Sequence, residues 1–169
     1  RHNKRCPYFS SFLSCSISPP ALRCLPPPGN SLCPLLLLKV FSFLLESPSS
    51  VWQQLPWPRL TTVCLAGWLD PSLVLLAHSH NTTVSFIANY PRHQLLNTTY
   101  RKLWVRQQVD YARLHQLDGV NFDFEDALAE GSDESAAYSR LVKDTVAAFH
   151  MDLPGSQVDW RLDMAAWGH

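Results

Sequence analysis

Apolar and polar positions alternate most regularly in the octet Asp118-Gly119-Val120-Asn121-Phe122-Asp123-Phe124-Glu125. Successive strand side chains point to opposite faces. Asn121, Asp123 and Glu125 therefore share one face, while Val120, Phe122 and Phe124 share the other. The Phe-bearing face calls for a packed layer. The other gathers acids and an amide, and acids on one face push each other's titrations apart, which lets one donate a proton beside a charged neighbour. A solvated edge strand would alternate too. Edges more often carry Lys and Thr than a row of acids and amides backed by two Phe.

The same pattern divides the rest of the chain. The apolar run within Lys39–Leu44 predicts a strand covered on both faces. Thr61–Ala66 predicts a second strand, ended by Gly67-Trp68. Asp70-Pro71 supplies a cap and a first-turn proline for a helix over Ser72–His80. Thr82–Tyr90 predicts a third strand, closed by Pro91. Thr99–Gln116 reads as a helix with Val105, Val109 and Ala112 on one stripe beside Trp104 and Tyr111. The fourth strand is Gly119–Phe124. Ser132, followed by Asp133 and Glu134, opens a helix whose buried stripe is Tyr138, Leu141, Val142, Thr145 and Phe149. Pro154-Gly155 ends it, and Val158–Ala166 predicts a fifth strand. Strands alternating with helices mean an α/β fold with a parallel sheet, either open or closed into a barrel.

Composition narrows the setting. The 169 residues carry 14 basic and 14 acidic side chains, so neither nucleic acid nor an anionic membrane is an expected partner. Residues 1–34 are rich in Pro, Ser and Cys and have no period, which predicts an irregular segment. Cys6, Cys15, Cys24, Cys33 and Cys64 match no zinc spacing, and their odd number leaves at least one thiol outside any internal disulfide. The triplets at Asn81 and Asn97 are glycosylation sequons and fit a secretory route. The apolar run Leu35–Leu38, Val40–Leu45 is too short to span a bilayer and lies too far in to be a normal signal. The acidic loop 125–131 lacks calcium-loop spacing, and His78 and His80 lack a third ligand, so no metal site is expected.

The octet resembles the fourth-strand signature of glycoside hydrolase family 18, Asp-x-x-(Asp/Asn)-x-Asp-x-Glu, with every fixed position present. Asn at the second position resembles the di-N-acetylchitobiase branch more than the bulk of the chitinases. The likeness runs from about Lys39 to the end, so residues 35–169 are expected to form the N-terminal part of that family's (β/α)8 TIM barrel. About the first five strands are present, against about 250 residues for a whole barrel, which suggests a fragment.

The resemblance implies a retaining glycosidase acting on β-1,4-linked N-acetylglucosamine oligosaccharides, assisted by the substrate's own N-acetyl group. It implies Glu125 as general acid, Asp123 as the residue that orients the acetamide, and Asn121 and Asp118 as their support. It implies no cofactor, a lysosomal or secreted setting and a monomer at full length. The family's Tyr after the sixth strand and its last-strand Trp have no counterpart before His169. Trp68 is a weak substrate-binding candidate with core packing as its competing role, and Trp167 stands alike. Two further readings stay open: a carbohydrate-binding relative with a dead site, and an inactive truncated product.

Overall fold

The computed structural model describes residues 39–162. The expectations for residues 1–34, for Trp167 and for the end of the fifth strand lie outside them.

Five parallel strands form one sheet: β1 (Phe41–Leu45), β2 (Thr62–Ala66), β3 (Thr83–Ala88), β4 (Gly119–Phe124) and β5 (Gln157–Leu162). Their spatial order is their chain order. Between them lie α1 (Ser49–Trp52), α2 (Pro71–Ser79), α3 (Thr98–Leu114) and α4 (Asp133–Asp152), with short 3₁₀ turns at Trp57–Arg59 and Arg92–Gln94. Neither 3₁₀ turn nor α1 shows a period in the sequence.

The helices start where capping chemistry places them. The Asp70 side chain accepts from the Ser72 amide, Asn97 from Tyr100 and Ser132 from Ser135, so each satisfies a donor that a helix start leaves open. The expected stripes are buried: Val105, Val109 and Ala112 on α3, and Tyr138, Leu141, Val142, Thr145 and Phe149 on α4. They pack on the outer side of the sheet with Val63, Leu65, Val84, Phe86, Val120, Phe122 and Phe124. Each fully buried large apolar side chain contributes about 1.5–3 kcal/mol, before the entropy of ordering it.

The inner face is more polar, and it curls. Thr62 Oγ1 on β2 donates to Gln157 Oε1 on β5 at 3.2 Å and lies 2.8 Å from Thr83 Oγ1 on β3. A side-chain bond between β2 and β5 spans two intervening strands, which a flat sheet with neighbours about 4.8 Å apart does not allow. This is the curvature of a partial barrel, open among the described residues. Gly119 permits close packing of β4 on β5, because a Cβ there would run into the Gln157 backbone carbonyl.

One expectation is corrected. β1 is not covered on both faces: Phe43 is 40% and Leu45 67% exposed, while Leu44 is buried. β1 sits at the edge of the sheet and pairs with β2 alone among the described strands, and no described layer stands opposite its inner face.

Candidate functional site

The signature is strung along β4 from one end of the sheet to the other. Val120, Phe122 and Phe124 are buried against the helices, whereas Asn121 and Asp123 are half-buried on the inner face. Glu125 follows the last residue of the strand and is exposed, as is Asp126. Asn121 pairs with Ile87 on β3 and with Asp159 on β5, and Asp123 pairs with Arg161. Asp123 and Glu125 therefore stand at the C-terminal end of a parallel sheet, where barrel enzymes keep their chemistry. The four signature residues are not joined to one another by hydrogen bonds.

Asp118 is at the opposite end. Its Oδ2 accepts from the Val84 amide at 2.7 Å and lies 2.7 Å from His78 Nε2. Its own amide donates to the Val84 carbonyl, and its carbonyl accepts from Gln157. Asp118 thus ties β3, β5 and α2 together rather than contacting Asp123. Its bonds lie at the entry of the strand. His78 correspondingly is a partner of Asp118, and His80 stacks on Trp57 at 6.0 Å. No cluster among the described residues is arranged to hold a metal ion.

Trp68 lies just past the C-terminal end of β2, partly packed against the core, with its indole N–H donated to the Leu44 carbonyl at 2.9 Å. It borders two open crevices. One, of about 480 Å³, is lined by Leu65, Phe86, Gln108 and Tyr111 among others; the second, of about 560 Å³, by Glu46 to Ser49 and Asp70. Neither is lined by a signature residue, because Asp123 and Glu125 stand on an open face rather than in an enclosed pocket.

Three features escaped the sequence reading. Asp159 faces inward from β5, and burial raises its pKa although the Gln157 amide, 2.8 Å away, opposes the shift. Cys64 is buried on the same face and unbridged. Burial pushes its thiol up to about 12; the Ser85 hydroxyl lowers it, while the charges of Asp159 and Asp123 add to the rise. Arg101 is 6% exposed, with its guanidinium on the Leu95 carbonyl and the Thr98 hydroxyl. A polar residue inside an apolar stripe was the only trace of it in the sequence.

The bovine protein named di-N-acetylchitobiase is 35% identical over 115 residues, covering 68% of this chain and 66% of the bovine sequence. The mouse protein of that name is 33% identical over 116 residues, 69% of this chain and 32% of its own. The human one is 30% identical, covering 69% of this chain and 30% of its own length. The chain is di-N-acetylchitobiase-like. It spans just under two thirds of the bovine relative and about a third of the mouse and human ones. Among solved structures, a chitinase from Rhizomucor miehei shares the fold at a TM-score of 0.54 and 20% identity, over 63% of this chain and 42% of its own. The glycoside hydrolase domain of PelA from Pseudomonas aeruginosa does so at 0.52 and 14%, over 72% and 59%. No family model matches.

Proposed function

We propose that this chain carries the acid-bearing half of a chitobiase-type glycosidase acting on β-1,4-linked N-acetylglucosamine oligosaccharides. The observation that supports the reading most is the placement of Asp123 and Glu125, two residues apart where β4 leaves a parallel barrel sheet. In this reading Glu125 protonates the glycosidic oxygen and afterwards takes a proton from the incoming water. The carbonyl oxygen of the substrate's 2-acetamido group attacks the anomeric carbon and gives a cyclic oxazolinium, so the product retains its configuration. Asp123 orients the acetamide and offsets its positive charge, with Asn121 beside it on the inner face. Trp68 borders the sugar-binding end.

The same reading assigns residues 35–169 to the N-terminal part of the barrel and residues 1–34 to a preceding irregular segment. It places the protein in a lysosomal or secreted setting, with Asn81 and Asn97 as glycan acceptors. Both are exposed, and they lie at opposite ends of the sheet, Asn81 before β3 and Asn97 at the start of α3. No described helix is long and apolar enough to cross a membrane.

The test is release of N-acetylglucosamine from a short chitin oligosaccharide by this chain and by Glu125→Gln. Turnover by the parent that disappears in the variant is the expected result. No turnover by the parent, or equal turnover by both, would overturn the reading for this chain.

A further inference from the structure

The residue that carries the proposed chemistry sits on a weakly held segment, and a neighbouring loop is unusually well held. The Glu125 segment runs from the end of β4 to the cap of α4 at Ser132. Its internal tie among the described residues is the Ser132 amide on the Ala129 carbonyl, with Leu128 packed partly on the core. The loop after β3, from Asn89 to Asn97, is different. Trp104 Nε1 donates to the Asn89 carbonyl, Tyr90 Oη to the Gln94 carbonyl, Asn97 Nδ2 to Gln94 Oε1, and the buried Arg101 guanidinium to the Leu95 carbonyl. Four side chains thus fix one nine-residue turn of chain from Asn89 to Asn97, three of them rooted in α3 or its cap.

One ion pair links the loop to the helix that follows the segment. Arg92, in the fixed loop, meets Glu134, in the first turn of α4, through one short bond, Nη2 to Oε2 at 2.7 Å, while Nε is shared between Oε2 at 3.3 Å and Oε1 at 3.4 Å. The partners are 42 residues apart in sequence. Two guanidinium nitrogens on one carboxylate restrict direction as well as distance, which a single lysine contact would not. Arg92 also feels the charge of Asp126, the residue after Glu125. Arg92 therefore holds the start of α4, where the Glu125 segment ends, through Glu134.

We propose that Arg92 is a positioning residue for Glu125: it anchors the segment 125–132 to the rigid loop after β3, and so fixes where the acid stands above the sheet. The catalytic consequence rests on the reading of Glu125 as general acid; the mechanical one does not. Position matters to such an acid because proton transfer needs approach to about 2.6–3.2 Å, and small misplacements of reacting groups cost large factors in rate.

The experiment measures hydrogen exchange of the backbone amides of 125–132 in the whole chain, for the parent, Arg92→Gln, Glu134→Gln and the charge-swapped double variant Arg92→Glu/Glu134→Arg. Each single variant is expected to speed exchange in that segment about three- to fivefold, as befits an exposed ion pair made by two guanidinium nitrogens, with the rest of the sheet unchanged. The swapped pair is expected to recover at least half of the loss, which a role in bulk stability would not produce. Exchange unchanged in both single variants, or no recovery on swapping, would overturn the anchoring. With turnover measurable, kcat is expected to fall several-fold at constant KM; faster exchange with unaltered kcat would overturn the positioning role alone. A parent without turnover defeats the proposed activity and leaves the exchange result to decide the anchor.

Discussion

The two ends of β4 carry carboxylates and use them differently. At the entry, Asp118 receives the Val84 amide and His78, while its backbone bonds to β3 and β5. At the exit, Glu125 is exposed and unattached to the other signature residues. A carboxylate whose lone pairs are occupied by the fold contributes to stability. One left at the open C-terminal rim is available for chemistry. One eight-residue motif thus binds one acid into the fold and leaves another exposed at the rim.

Substitutions at the two ends should therefore part stability from activity. The largest effect is expected at the exit. Glu125→Gln will lower any turnover by about 10²–10⁴-fold, the range for loss of a general acid, and thermal unfolding will stay within a degree or two of the parent. A variant that loses both in step would mean the exit also holds the fold. In the middle, Gly119→Ala forces β4 and β5 apart and is expected to lower stability in urea titration by about 1–3 kcal/mol, the range for overpacking. At the entry, Asp118→Ala orphans the Val84 amide and frees His78. A loss of about 1–2 kcal/mol, with kcat unchanged where turnover is measurable, would complete the separation; a kcat change larger than the stability change would restore Asp118 to the catalytic group.

A further effect, absent near neutrality, is set by pH. Cys64 and Tyr138 are both pushed up to about 12 by burial. A raised folded-state value means that the neutral form is what the core accepts. Its contribution is fully present below the unfolded thiol's ordinary range near 9 and is lost as pH climbs toward 12. Denaturant midpoints should hold steady at pH 7–8.5 and decline above it. Peptide-level alkylation should find Cys64 unreactive in the folded chain at pH 8 and reactive once unfolded.

Much of the fold is legible in the sequence because its causes are local. Asp70-Pro71 and Ser132 cap helices within three residues of themselves, and the stripe Tyr138–Phe149 repeats at helical spacing. The alternation 121–125 sorts inner from outer face without help from elsewhere. What stayed hidden is nonlocal. Arg92 meets Glu134, and His78 meets Asp118, across about 40 residues, and no period links them. The exposure of Phe43 and Leu45 was hidden for the same reason: an apolar run states what a strand prefers to face, and only the sheet order shows whether anything described lies there. The family signature brought Asp123 and Glu125 forward but not Asp159, whose burial depends on how β5 docks.

The sheet order has a consequence for how the chain comes to be folded. Every strand lies beside its predecessor in the chain, so a nascent polypeptide leaving the ribosome can add each βα unit to a surface that already exists. Most native contacts then close short loops, which favours rapid and stepwise assembly. The exception is the Thr62–Gln157 bond, between residues 95 apart. It can form only when the fifth strand has emerged, which makes it a marker of the moment at which a growing ribbon becomes a curved wall.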